Sequence, residues 1–241
     1  MIHLKVLSYI MNKVVAIIPA RQNSLRIKNK NLKNLDGKPL IWWTFNEAKK
    51  SKYIDEIYVT SDSKKILNLS KKNKVQTIKR PKNISDNHST KKDVIFHAID
   101  FLKKKGKYFN YLIYLQPTSP LRGYKQIDMS LKQVFARKAA GLVSVNKIDG
   151  YYWKLDVINK KISNDIKKDI FFTKRSQDLK PAYKPNGAIY IFNLDKLKYK
   201  NEFDISKGFE IFIMDRISSI DIDNIDDFKL AELIKKNNNE L

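Results

Sequence analysis

Residues 14–31, VVAIIPARQNSLRIKNKN, join an apolar run directly to a strongly basic loop. No charged residue interrupts Val14–Pro19, which predicts a strand buried on both faces, as in a parallel sheet covered by helices. Arg21, Arg26 and Lys30 follow this strand, so the cations lie at its carboxyl end, where such sheets bind ligands. A loop of backbone donors and cations suits an anionic phosphate chain. The stretch therefore predicts an α/β fold with an anion-binding loop.

The alternation of short apolar runs and longer amphipathic segments continues along the chain. Strands are predicted at Val14–Pro19, Glu56–Ser61, Val75–Lys79, Tyr111–Gln116, Gly141–Val145, Ala188–Phe192 and Glu210–Met214. Helices are predicted at Leu40–Ser51, Lys64–Lys72, Lys91–Lys104, Lys125–Arg137 and Asp226–Lys236. This order indicates a mostly parallel sheet flanked by helices.

Residues 147–181 break this rhythm, with aromatic residues in no clear period. They read either as a long surface excursion or as an arm that packs on a second subunit, and we favour the arm, because burial would shelter the aromatic side chains. The expected organisation is a leader (1–12), a nucleotide-binding core (13–146), a dimerisation arm (147–181) and the rest of the core (182–241). Met11 offers an alternative start to Met1.

The net charge of +23 raises the alternative of a basic nucleic-acid-binding protein. Only seven of the 48 basic residues are arginine, however, which is typical of a general lysine bias rather than of a surface that reads phosphates. The absence of cysteine excludes a disulfide framework and a thiolate zinc site. No apolar run reaches the roughly 18 residues of a membrane span. We therefore expect a cytoplasmic protein that binds neither nucleic acid nor membrane.

Two further stretches place polar groups beside predicted strands. Residues 115–122, LQPTSPLR, combine hydrogen-bonding side chains with two prolines and end in Arg122, which would add charge to a site. Residues 183–192, YKPNGAIYIF, place Asn186 and Gly187 directly before an apolar run. Asn-Gly is also an ordinary turn signal, so a purely structural reading of this second stretch stays open.

A fourth stretch, SSIDIDNIDDF at residues 218–228, clusters four aspartates in a chain that is poor in acids. On extended backbone, Asp221 and Asp223 project to one side while Ile222 projects to the other. Two carboxylates beside a phosphate-rich pocket are what Mg²⁺ requires. A helix cap is the alternative, and it fits Asn224 and the aspartates that follow it better.

Together, IIPAR.NS.RI..KN, TSDS, RP..IS......DVI.HA, LQPTSPLR, P..Y.PNGAIYI and S.DID...DF.LAE resemble the acylneuraminate cytidylyltransferases, the CMP-sialic acid synthetases. The resemblance runs from about Val14 to Leu233 and includes the relatives that activate legionaminic and pseudaminic acids. It implies a Rossmann-like nucleotide-diphospho-sugar transferase fold. It also implies transfer of CMP from CTP to a nonulosonic acid with release of pyrophosphate. KDO cytidylyltransferases and other sugar nucleotidyltransferases are the alternative within the enzyme class.

The resemblance also implies roles for individual residues. For CTP binding these are Arg21, Asn23, Ser24, Lys30, Asn31, Arg80, Ser89 and Thr90. For sugar binding they are Gln116, Arg175, Asn186, Tyr190 and Phe203, with Arg175 reaching the pocket of the partner subunit in a homodimer. Asp221 and Asp223 would bind Mg²⁺ or Mn²⁺, and Lys30, Arg21 and Asp223 would carry catalysis.

Two positions depart from the family pattern, and two questions stay open. Leu25 stands where the family commonly has lysine, which removes an expected triphosphate contact, and Lys184 stands where some members have arginine. No histidine falls in a catalytic motif, so the general base is open, as is the identity of the nonulosonic acid.

Overall fold

A seven-stranded sheet forms the centre of the molecule. The computed structural model describes residues 12–22, 24, 26–86, 88–148, 155–156, 161–162, 175, 178, 181–197 and 207–238. In chain order the strands are β1 (Val14–Pro19), β2 (Asn34–Leu35), β3 (Lys38–Pro39), β4 (Glu56–Ser61), β5 (Gln76–Lys79), β6 (Tyr111–Tyr114), β7 (Gly141–Ile148), β8 (Leu155–Asp156), β9 (Lys161–Ile162), β10 (Ala182–Asn193) and β11 (Phe209–Met214). The short pairs β2–β3 and β8–β9 form separate two-stranded ladders.

Five α-helices accompany the sheet in the described part of the chain. They are α1 (Leu40–Lys50), α2 (Lys64–Lys72), α3 (Lys91–Lys104), α4 (Tyr124–Arg137) and α5 (Ile225–Asn238). None of these helices is long and apolar enough to cross a membrane.

The strand order of the large sheet is β11-β7-β10-β6-β1-β4-β5. All neighbours are parallel except that β10 runs antiparallel to both β6 and β7. From β1 the chain moves outward through β4 to β5 and then returns to the other side of β1 as β6. The order of the strands therefore reverses beside β1, and the carboxyl ends of β1 and β6 border the crevice where such folds bind ligands.

Strand β1 is apolar throughout because both of its faces are covered. Val14, Ala16 and Ile18 pack in the cluster that includes residues of α1, α2 and α4. Val15 and Ile17 pack on the opposite face against α3. The predicted doubly buried strand is confirmed, and with it the mostly parallel α/β class.

A third apolar cluster lies beside the carboxyl edge of the sheet. Its members come from the first loop, the β2–β3 hairpin, α1 and the C-terminal segment: Ile27, Leu35, Leu40, Ile222, Phe228 and Ala231. Each is almost fully buried. The cluster joins the first loop to α5.

Four predicted elements have the observed bounds: β1, β4, α2 and α3. The predicted start of β10 at Ala188 and end of β7 at Val145 were wrong for one shared reason. Polar residues at the start of β10 pair with the end of β7, from Ala182 opposite Ile148 to Pro185 opposite Val145, with an irregularity before Tyr190. The proposed division into leader, core and arm stays a prediction, because residues 1–11 and most of 149–180 lie outside the described residues.

Candidate active site

A polar cleft of about 360 Å³ opens at the carboxyl ends of β1 and β6. Five cations and three carboxylates line it: Arg21, Arg26, Lys30, Arg80, Lys91, Asp86, Asp221 and Asp223. A larger cavity of about 510 Å³ lies at the opposite edge of the sheet, beside Lys13 and Asn110, and contains none of the predicted site residues. Because the charged side chains converge where the strand order reverses beside β1, we take the smaller cleft as the candidate site.

The first loop begins at the end of β1 and is fixed by backbone contacts. The Ala20 amide donates to the Thr60 carbonyl at 3.0 Å, which ties the loop to β4. The side-chain amide of buried Asn31 donates to the Arg21 carbonyl at 3.1 Å and closes the loop on itself. Arg21 reaches across the cleft, and its guanidinium donates to the Asp86 carbonyl at 3.1 Å. The predicted residues Arg21, Ser24 and Asn31 therefore border the cleft together.

Lys30 crosses the cleft floor from this loop to the C-terminal segment. Its ammonium donates to the backbone carbonyl of Ile222 at 2.6 Å. Burial lowers the pKa of Lys30 and outweighs the opposite effect of the Asp223 and Asp221 carboxylates, while Arg26 and Arg21 lower the pKa further. The ammonium is thus partly desolvated, which strengthens its interaction with an anion in the cleft.

Asp221 and Asp223 both face the cleft, while Ile222 between them is fully buried in the third apolar cluster. Oδ1 of Asp221 is buried and has no hydrogen-bond partner among the described residues. Burial raises the pKa of Asp221; the Thr118 hydrogen bond, Lys30 and Lys91 oppose this rise, and Asp223 adds to it. Asp223 is more exposed and pairs with Arg26 at 3.1 Å. The predicted alternation of carboxylates and isoleucine is therefore observed.

The side chains of Asn224 and Asp227 cap α5, which agrees with the alternative reading for these residues. The amides of Asp226 and Asp227 donate to Oδ1 of Asn224 at 2.9 and 3.0 Å. The carboxylate of Asp227 accepts the amide of Asp223 at 2.9 Å. This cap fixes the backbone immediately after the Asp221–Asp223 pair.

The loop after β6 is held by a buried arginine. Arg122 is 1% exposed and donates to the carbonyls of Gln116 and Ala188 and to the Thr44 hydroxyl. Burial lowers the pKa of Arg122 to about 10, which leaves it charged at neutral pH. The suggestion that Arg122 adds charge to the site was wrong, since its guanidinium lies in the scaffold and not in the cleft lining.

Gln116 projects from the same loop and donates to the Gly187 carbonyl at 2.8 Å. Gly187 has a φ of 77°, and a Cβ there would lie 2.7 Å from Nε2 of Gln116 and 3.1 Å from Oδ2 of Asp221. The positive φ favours glycine here, and a larger residue would also have to displace the Gln116 side chain. The Asn-Gly pair thus marks the point where β10, the loop after β6 and the segment of Asp221 come close together at the cleft.

Arg80 follows β5 and is 5% exposed at the cleft wall. Its Nε and Nη2 atoms have no hydrogen-bond partner among the described residues. Burial lowers the pKa of Arg80, and Tyr114 and Asp62 act in the opposite direction. A buried cation with unused donors at a cleft is a site for an acceptor oxygen of a ligand.

The hydroxyls of Ser89 and Thr90 are engaged locally at the same wall. Ser89 donates to the Asp86 carboxylate at 2.6 Å, and this bond lowers the pKa of Asp86. Thr90 caps α3 through a reciprocal pair of hydrogen bonds with Asp93. Both residues, predicted to bind CTP, line the cleft, but their side chains mainly shape the loop that precedes α3.

Lys91 is a cleft residue that the sequence analysis missed. It is the first residue of α3, and its ammonium donates to the Tyr190 hydroxyl at 2.7 Å. Tyr190 was predicted as a sugar contact, and it packs edge-on against Tyr114 with ring centroids 6.3 Å apart. Lys91 directly follows Thr90, a predicted site residue, so this adjacency was the signal available in the sequence.

Other predicted residues do not line the described cleft. Asn186 is buried, with its amide between the hydroxyls of Ser144 and Ser219 at 2.5 and 2.9 Å. Arg175 is exposed and pairs with Asp178 at 2.9 Å. Asn23, Leu25 and Phe203 lie outside the described residues. Among the residues that line the cleft there is no histidine.

Known proteins are similar to this chain over most of its length. The cytidylyltransferase family profile matches residues 15–239. A pseudaminic acid cytidylyltransferase of Campylobacter jejuni is 28% identical, over 95% of this chain and 98% of that protein. A CMP-N,N'-diacetyllegionaminic acid synthase of Legionella pneumophila is 32% identical, over 95% of this chain and 98% of that protein. An N-acylneuraminate cytidylyltransferase of Escherichia coli is 31% identical over 94% of this chain, which spans 53% of that protein.

Solved structures share the fold at low identity. A CMP:2-keto-3-deoxy-manno-octonic acid synthetase complexed with CTP has a TM-score of 0.67 at 15% identity, covering 94% of this chain and 99% of that chain. A 4-diphosphocytidyl-2C-methyl-D-erythritol synthase from Anaerococcus prevotii has a TM-score of 0.62 at 14% identity, covering 93% and 99%. At such identities the likeness concerns the fold alone.

Proposed function

Because the chain belongs to the cytidylyltransferase family, we propose that it transfers CMP from CTP to the anomeric hydroxyl of a nonulosonic, sialic-type acid and releases pyrophosphate. One observation carries this proposal. The first-loop cations and the Asp221–Asp223 pair face each other across one cleft at the strand switch point. The relatives named for pseudaminic, legionaminic and N-acylneuraminic acids support this class of acceptor.

We assign the triphosphate to the side of the cleft bordered by the first loop. Arg21 and Lys30 supply the charge there, with Ser24 and Asn31 beside them. The desolvated ammonium of Lys30 would stabilise charge that develops on the transferring phosphoryl group. The unused donors of Arg80 suit acceptor oxygens of the cytidine half.

Asp221 and Asp223 fit a divalent cation. The buried, unpartnered Oδ1 of Asp221 offers an acceptor that no described protein group satisfies. Among the described residues, no group of three or more acids, histidines or cysteines could hold a metal ion by itself. The pair therefore suits Mg²⁺ or Mn²⁺, because such ions complete their coordination with phosphate oxygens and water. When bound, the ion would neutralise phosphate charge and orient the triphosphate.

The ion pair between Arg26 and Asp223 gives Arg26 a second role. Both side chains are more than half exposed, so the pair is weakly held and opens at little cost. Metal binding at Asp223 would release Arg26 toward the phosphates. Arg26 would thereby replace the lysine that the family commonly has at the position of Leu25.

In the reaction, the anomeric hydroxyl oxygen attacks the α-phosphorus of CTP and loses its proton. The bond from the α-phosphorus to the bridging oxygen breaks in line, and pyrophosphate leaves. The protein contributes mainly orientation and charge neutralisation, since phosphoryl transfer requires little covalent help. A cytoplasmic location agrees with the supply of CTP inside cells.

We also propose a homodimer in which the arm delivers Arg175 to the neighbouring cleft. Arg175 is 74% exposed and does not line the described cleft of its own chain. The edge strand β11 exposes Ile211 and Ile213, each at 54%, which provides apolar surface for a second subunit.

The activity is tested by incubating the purified protein with CTP, Mg²⁺ and one of several acids. The panel contains N-acetylneuraminic, legionaminic, pseudaminic and deoxyoctulosonic (KDO) acids, and both pyrophosphate and the CMP-sugar are measured. We expect pyrophosphate release with a nine-carbon acid, and none without acid or with UTP in place of CTP. Activity confined to KDO would favour the alternative enzyme. Absence of turnover together with salt-sensitive binding to DNA or RNA would overturn the proposal.

A further inference from the structure

We infer that Lys91 and Tyr190 together bind the carboxylate of the sugar acid. This inference rests on the proposed function and extends it to Lys91, which lines the cleft, and to Tyr190, which accepts a hydrogen bond from Lys91. Lys91 comes from the start of α3 and Tyr190 from β10, so two separate elements are needed to form the pair.

The two side chains hold each other in a fixed geometry. The Lys91 ammonium lies 2.7 Å from the Tyr190 hydroxyl and 4.4 Å from the centroid of its ring. Tyr190 is half-buried and rests edge-on against the buried Tyr114. The phenol therefore anchors a lysine that would otherwise be a mobile surface side chain.

The pair presents hydrogen-bond donors that the described protein does not use. The Tyr190 hydroxyl accepts from Lys91, so its own proton is directed elsewhere. The ammonium keeps two further N–H groups. A carboxylate, with two acceptor oxygens, matches an ammonium and a hydroxyl presented side by side.

The position of the pair favours the sugar carboxylate over a phosphate. Tyr190 lies on β10 opposite Tyr114 of β6, whereas the first loop follows β1 on the other side of β6. In a sialic-type acid the carboxylate is attached to the anomeric carbon, next to the hydroxyl that attacks. It must therefore lie close to the reacting phosphorus.

The test compares Lys91→Ala and Tyr190→Phe with wild type in steady-state kinetics, using the preferred acid of the panel. One lost charge-assisted hydrogen bond corresponds to about a tenfold or greater rise in KM for the acid. We expect that rise for Lys91→Ala, a smaller rise for Tyr190→Phe, and a KM for CTP within about twofold of wild type. Lys91→Arg should recover part of the loss. Lys92→Ala is the matched control, because Lys92 is an exposed neighbour beside Phe96, outside the cleft.

A second measurement replaces the carboxylate of the acid with a carboxamide. Wild type should prefer the acid strongly, and Lys91→Ala should lose most of that preference. An unchanged preference, or a rise in KM for CTP instead of the acid, would overturn the inference while leaving the proposed function standing. Wild-type protein that turns over no acid at all would overturn the proposed function and the inference with it.

Discussion

Lys30 is held by a backbone carbonyl and not by a carboxylate, so its charge is available to a ligand. We predict that Lys30→Ala lowers turnover by about 100-fold, since stabilising charge on a transferring phosphoryl group is worth ~3 kcal/mol. Thermal unfolding should change little. Lys28→Ala, at an exposed position of the same loop, is the control. Turnover within about twofold of wild type would assign the role to Arg21 or Arg26 instead.

A substitution at Asp223 tests the metal assignment separately. Asp223→Asn should reduce pyrophosphate release by about 100-fold or more, because an amide oxygen is a poor substitute for a carboxylate facing a cation. The circular dichroism spectrum should be unchanged. Asp226→Asn, which alters an exposed acid at the start of α5, should retain activity. Near-normal turnover at saturating Mg²⁺ would contradict the assignment.

We expect Arg122 to stabilise the fold around the site and to take no part in its chemistry. Arg122→Ala would leave the carbonyls of Gln116 and Ala188 without their buried donor. We predict a loss of about 3 kcal/mol in the free energy of unfolding, measured by denaturant titration. Arg137→Ala removes an exposed arginine at the end of α4 and should change stability by less than about 0.5 kcal/mol. Equal effects of the two substitutions would refute the scaffold role.

Phe228 links helix α5 to the segments that carry the cleft residues, and it is 3% exposed. Phe228 packs with Ile27 and Ile222, so it supports both the first loop and the residue between the two aspartates. We predict that Phe228→Ala costs ~3–5 kcal/mol of stability and lowers turnover even where the protein is fully folded. Phe228→Leu should retain most of the turnover.

Leu233→Ala is the matched control for this helix, because Leu233 is 57% exposed. Kinetics are measured at a temperature where circular dichroism shows each variant to be folded. Full turnover of folded Phe228→Ala would mean that α5 stabilises the protein without positioning the aspartates.

The elements that were predicted with correct bounds are those that local pattern determines. Helix α3 begins at a cap formed by Thr90 and Asp93, both visible in the sequence, and β1 is apolar because both of its faces are covered. The start of β10 could not be predicted, because Tyr183 and Lys184 become strand residues only through pairing with β7. The role of Arg122 was hidden for a similar reason: its partners Thr44 and Ala188 are distant in sequence.

At the scale of the whole molecule, the proposed homodimer makes a prediction that a monomer cannot satisfy. Arg175→Ala and Asp223→Asn should each inactivate the enzyme. Mixed under conditions of subunit exchange, they should regain part of the activity, because one cleft of each mixed dimer receives both lesions and the other receives neither.

Native mass spectrometry confirms the exchange in this experiment, and each variant mixed with itself is the control. Confirmed exchange without recovered activity would mean that Arg175 acts within its own chain or has no role. A monomer in light scattering would end the arm hypothesis.

The strand order also bears on how the chain is made. Strand β7 is completed at Ile148, yet both of its neighbours, β10 and β11, are encoded later. At a synthesis rate of about 5–20 residues per second, a nascent chain waits on the order of seconds before Ala182 leaves the ribosome. During that interval β7 has no partner in the central sheet, and unpaired strand edges are where misassembly begins. Codon choice in the messenger RNA that encodes the segment between β7 and β10 should therefore affect the yield of active enzyme more than codon choice before β7.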